Sequence, residues 1–149
     1  MHIKKEDTGM EKKLALSIKI EANGPAVNLK GIDGEVLMIP FKGYVKSQIF
    51  NGIVEPCGVD TQVVNMAGVR HMSARYMLTG KDHTGEDCHI YVENNGWFDD
   101  ATKTMPFHTV PTFLTDSKAL AKYLHANRFV GEGVDEEDGF WIYFYEVTE

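Results

Sequence analysis

The chain has 149 residues, 43% hydrophobic and 25% charged, a globular composition and not a disordered one. Lys and Arg number 15 against 22 Asp and Glu, a formal net charge of −7. That balance lacks the basic footprint of a general nucleic-acid binder or of a protein that adheres to anionic membranes. One ordinary domain fits the length, and no apolar run reaches the roughly 18 residues of a membrane-spanning helix.

Residues 1–13, MHIKKEDTGMEKK, are polar, lack the apolar core of a secretory signal, and read as a flexible lead. Residues 14–149 then form a single domain. Cys57 and Cys88 are the only cysteines and make no C-x-x-C motif, so reduced thiols in a cytoplasmic protein are expected.

From there the dominant period is two. In KLALSIKIEA, Leu14, Leu16, Ile18 and Ile20 alternate with Ala15, Ser17 and Lys19, a strand with one apolar face. EVLMIPF is strand-like, and Pro40, which has no N–H, predicts an edge or a bulge there. YVKSQIFNGIVEP holds two short strands, with Gly52 marking a bend or a close backbone approach. TQVVNMAGVRHMSARYMLTG supplies a strand pair turning near Ala67 and Gly68. HMSARYML and CHIYVEN form the clearest hairpin, joined by a polar linker. TDSKALAKYLHAN breaks the pattern: Ala119, Leu120, Tyr123 and Leu124 have helical spacing, Asp116 or Ser117 can cap it, and Asn127 can end it in a left-handed conformation. Gly131-Glu132-Gly133 reads as a turn into the closing strand FWIYFYEV. On that strand Trp141, Tyr143 and Tyr145 share one face, and Phe140, Ile142 and Phe144 the other.

The fold expected is all-β with one short helix, an antiparallel up-and-down barrel of about eight or more strands; a sandwich is the alternative. Gly43, Gly52, Gly58 and Gly68, in or beside strands, suit the corners of a small barrel.

Arg75, with Ser73 and His71 on its own face, is a candidate anion clamp, since its planar fork suits a carboxylate or phosphate. The alternative is a surface ion pair worth about 0–1 kcal/mol. Pairing with DCHIYVENN has two parities. One gathers Arg75, His89, Tyr91 and Glu93 into a polar patch, catalytic if inside a cavity and ordinary if outside. Asp60 follows the corner Pro56-Cys57-Gly58 and either caps a turn or, aimed into a pocket, is a general base. The histidine spacing builds no metal site.

Taken in order, GYV, FNGIVEPCGVDTQ, MSARYMLTG, HIYVENNGW, PTFLTDSKALAKYLHANRFVGEGV and IYFYEV resemble the bacterial and fungal family designated domain of unknown function 3237, from about Leu14 to Val147. The family's usual glycine pair and Trp around the corner Asp, and its acidic residue before the ARY triplet, read here as Cys57-Gly58, Thr61 and Ser73. The resemblance implies a small up-and-down barrel, association into homo-oligomers and no cofactor. Its patterned polar positions fall on Asp60, Arg75, Tyr76, Asn94 and Gly96; strand geometry adds Tyr91.

The expected function is binding of a small organic molecule, anionic if Arg75 takes part, by Asp60, Arg75, Tyr76, Tyr91 and Asn94 in a barrel cavity of several hundred cubic ångströms. Two alternatives stay open. One is a cofactor-independent isomerase, cyclase or lyase using Asp60 and Arg75 in the same cavity. The other is a structural or interaction protein with a filled barrel.

Overall fold

Ten strands and one short helix carry the described residues, which are 3–5, 11–99 and 107–148 of this computed structural model. The strands are β1 (Ile3–Lys5), β2 (Glu11–Ala22), β3 (Val27–Gly31), β4 (Gly34–Lys46), β5 (Phe50–Asn65), β6 (Val69–Asp82) and β7 (Asp87–Asp99). They continue as β8 (Phe107–Thr115), helix α1 (Ala121–Leu124), β9 (Phe129–Glu136) and β10 (Gly139–Thr148). Strands β4 to β10 pair in sequence order, β10 pairs with β2, and β2 returns to β4. This closes an eight-stranded antiparallel barrel, with β3 beside β4 and β1 beside β2 as additions. Closure leaves few open edges for pairing with other chains.

Period-two alternation becomes an inside and an outside. The inner rows include Leu16, Ile18 and Ile20 on β2 opposite Phe144, Ile142 and Phe140 on β10. A bulge at Ala15, where Phe144 pairs with Leu16 but Tyr145 with Leu14, shifts this alternation, so Ala15 and Tyr145 are buried. Pro40 falls where β4 passes from β3 to β2, and its carbonyl accepts the Asn23 N–H. Gly43 follows at a bulge with a φ of 154°, where a Cβ would meet the Lys19 carbonyl. Gly52 lies opposite Gly80, and a Cβ on either would strike the facing backbone, so the expected close approach is real.

One end of the barrel is packed solid. Phe50, Leu78, Ile90, Phe113, Phe129 and Phe144 meet there, and Leu120 and Leu124 from the α1 region are fully buried against them. Each such side chain contributes about 1.5–3 kcal/mol of burial. The helix is shorter than its sequence suggests. Neither expected residue caps it: Ser117 Oγ accepts the N–H of Leu120, the residue before the helix, at 3.2 Å, and Asp116 is drawn away to His89. Asn127 has the expected positive φ of 55°.

Strand β8 divides its pairing. Residues 107–109 pair with β9, residues 110–115 pair with β7, and the β7–β8 ladder stops at Asn95 and Val110.

Two further expectations are corrected. Ile3–Lys5 pair with residues 11–13 of β2, so part of the proposed lead belongs to the sheet; backbone hydrogen bonds need no apolar side chains. The rest of the lead, residues 1, 2 and 6–10, lies outside the described residues. Gly131-Glu132-Gly133 lies within β9, not in a turn. Phe107 occupies the space a Cβ at Gly133 would need, and Thr109 and Phe144 crowd Gly131, so the glycines admit neighbours' side chains and do not reverse the chain.

Candidate functional site

The barrel interior changes character at the end away from α1. There a cavity is walled by Ile20, Phe41, Met72, Phe107, Phe140 and Ile142. Four polar side chains, Asp60, Tyr76, Asn94 and Thr109, and the small Ala74 complete the lining. The cavity measures about 50 Å3, well below the several hundred expected. That admits a few waters or a small head group; a larger guest must displace wall side chains.

Register explains why these polar groups meet. Asp60 on β5 lies opposite Ala74 on β6, and Ala74 lies opposite Asn94 on β7. Ala74 therefore leaves space between two polar side chains. The corner before Asp60 is a bulge and not a turn: residues 55–58 of β5 stand against only Tyr76 and Met77. Gly58, packed under Phe41 and Tyr76, brings β5 close at this point.

Asp60 is held from behind. Gln62 Nε2 donates to its Oδ2 at 2.8 Å, and Arg70 Nη1 donates to Gln62 Oε1 at 2.6 Å. Arg70 Nη2 in turn lies 3.6 Å from Glu35 Oε1. Tyr76 Oη, Asn94 Oδ1 and Thr109 Oγ1 are buried with no hydrogen-bond partner among the described residues. Burial pushes the Tyr76 phenol well above its ordinary pKa, and the Asp60 carboxylate beside it adds to the rise. It therefore stays a protonated donor.

Of the residues singled out from sequence, Asp60, Tyr76 and Asn94 converge on the lumen. Arg75 and Tyr91 do not. The parity is the one that pairs Arg75 with Glu93 and Met77 with Tyr91, and it turns that polar set outward. The Arg75 side chain is 65% exposed, with its Nε 4.0 Å from Glu93 Oε1. Tyr91 donates to Glu93 at 3.0 Å. An anion clamp by Arg75 inside the cavity has no geometric basis, and no cation lines the lumen among the described residues. Gly96 lies at a surface cleft with Trp97 and His108.

Sequence reasoning missed Gln62, Arg70 and Thr109. Gln62 shares Asp60's face by period two, and Phe107, Thr109, Pro111 and Phe113 alternate visibly along β8. No group of three or more His, Cys, Asp or Glu among the described residues could hold a metal, and no helix there is long and apolar enough to cross a membrane.

Fold and lumen together define a class: a small closed antiparallel barrel with a half-polar interior at one end. The chain belongs to the family described as protein of unknown function (DUF3237), whose model matches residues 10–147. A UPF0311 protein of Clostridium acetobutylicum is 33% identical over 153 residues, covering 89% of this chain and 90% of that protein. A crystal structure of a protein with unknown function from the same organism superposes with a TM-score of 0.73 at 29% identity, covering 93% and 99% of the two chains. A structure of an enzyme from Penicillium herquei has a TM-score of 0.64 at 16% identity, covering 92% of this chain and 93% of that one, a likeness of fold alone.

Proposed function

We propose that the lumen binds a small neutral organic molecule with an apolar body and a hydrogen-bonding tip. The observation that carries this reading is the convergence of Tyr76 Oη, Asn94 Oδ1 and Thr109 Oγ1, buried and without partners among the described residues, on one apolar-walled space. A buried polar group left unsatisfied costs about 1–3 kcal/mol, so three together favour a guest that meets them. Asp60, the one charged group among the described lining residues, opposes an anion and favours an O–H or N–H donor. Native mass spectrometry of the purified protein, beside a denatured control, tests the reading. A small molecule released on denaturation is the expected result. A ligand-free spectrum, with lumen NMR signals that ignore a panel of small alcohols, amides and ketones, overturns it.

Association into homo-oligomers is supported by Trp97, Val110 and Leu114, which are exposed on the outer face of β7 and β8. Sedimentation velocity tests this; a monomer at micromolar concentration contradicts it.

A further inference from the structure

Resting on the reading of the lumen as a small-molecule site, we propose that it also moves protons: Asp60 removes a proton from the carbon beside a small ketone's carbonyl, while Tyr76 donates a hydrogen bond to the carbonyl oxygen. Gln62 and Arg70 are positioning residues for Asp60.

A base of this kind must be held still and must face its substrate in a dry space. The relay behind Asp60 does the first. Gln62 Oε1 is taken by Arg70, so the amide's N–H end is fixed toward Asp60. Glu35 steadies Arg70 from the far side. The walls of Phe41, Phe107 and Phe140 do the second. Tyr76 supplies a donor whose oxygen no described group engages, ready for a substrate oxygen. The balance is simple. The Asp60 carboxylate forms an O–H bond with the departing proton, and the C–H electron pair becomes a carbon–carbon double bond. The carbonyl π pair moves to oxygen, where the Tyr76 O–H stabilises it. Return of the proton to the same carbon restores the ketone, and return to a more distant carbon of an unsaturated ketone isomerises it. No oxidant, reductant or co-reactant enters.

The test uses the whole chain with cyclopentanone in D2O, following loss of the α-proton NMR signal together with shifts of lumen resonances. The wild-type protein should speed exchange above the buffer rate. Asp60→Asn should lower the acceleration by about 100-fold or more. Tyr76→Phe, which deletes only an unpartnered hydroxyl and so keeps the fold, should lower it by about 100-fold. Gln62→Leu should lower turnover and leave the cyclopentanone dissociation constant unchanged; equal losses in both mark a merely structural role and remove Gln62 from the proposal. Lumen shifts with exchange no faster than in buffer overturn the chemistry and leave the binding reading standing. No shifts at saturating cyclopentanone also overturn the chemistry, and the native mass spectrum then decides the binding reading separately.

Discussion

Asp60 and Asn94 stand on either side of Ala74 in one cross-strand row, so the smallest side chain of the row separates two polar ones. The space of the lumen depends on that methyl group. Ala74→Leu should fill it, abolish retention of any co-purified molecule and change stability by about 1–3 kcal/mol, as overpacking does. Urea denaturation and native mass spectrometry report the two effects. Undiminished binding in the variant places the guest elsewhere.

Arg75 gives the complementary control. Its only described ion-pair partner is Glu93, at 4.0 Å on the outer face. Exposed pairs of this kind are worth about 0–1 kcal/mol. Arg75→Ala should leave both stability and lumen binding near wild type, while Asp60→Asn weakens binding of a donor-bearing ligand. The reverse ranking, read by titration calorimetry, moves the site to the outside.

Acid sensitivity should trace to the β6–β7 turn. Asp82 Oδ2 accepts the Ser117 hydroxyl at 2.7 Å, and Oδ1 accepts the Thr84 hydroxyl and N–H. These bonds hold the Asp82 carboxyl down at about 2. A depressed carboxyl stabilises the fold fully above its unfolded value of about 3.9 and loses that contribution as pH falls toward the folded value. Stability of the wild type should therefore decline from about pH 4 down to about pH 2, and Asp82→Asn should flatten that slope. Chemical denaturation across this range measures it, and an unchanged slope assigns the acid response to other carboxylates.

The facing glycines make a sharper demand. A Cβ on Gly80 would lie 2.1 Å from the Asn51 carbonyl oxygen, and one on Gly52 2.2 Å from that of Thr79. Backbone, unlike a flexible side chain, has nowhere to go. Gly80→Ala should destabilise by about 3 kcal/mol or more, at the severe end of single substitutions. A thermal midpoint within a few degrees of wild type contradicts the close approach.

Fold was far more legible than site. Alternation in KLALSIKIEA and FWIYFYEV is a local signal, and burial of one face follows from it directly. The ends of α1 were less so: its helical spacing is genuine, but Asp116 finds the His89 N–H and ring nitrogen on another strand, a partner no local pattern announces. Arg75 shows the same limit. Its neighbours could be paired from sequence, yet which face turns inward depends on register across the hairpin. Gln62 and Arg70 became visible only once β5 and β6 lay side by side. Thr109 was within reach, since Phe107, Thr109, Pro111 and Phe113 alternate along β8, but only closure of the barrel shows that this face lines the lumen.

The divided pairing of β8 has a mechanical consequence. At the lumen end the ladder between β7 and β8 ends at Asn95 and Val110, and Asn94 and Thr109 flank that seam. Where the ladders are intact, widening the hoop means tearing rungs of hydrogen bonds. Along this line it means sliding side chains past one another. At the lumen end the ring is therefore compliant along this stave, beside Asn94 and Thr109, and a wall that yields there widens the space without breaking the barrel.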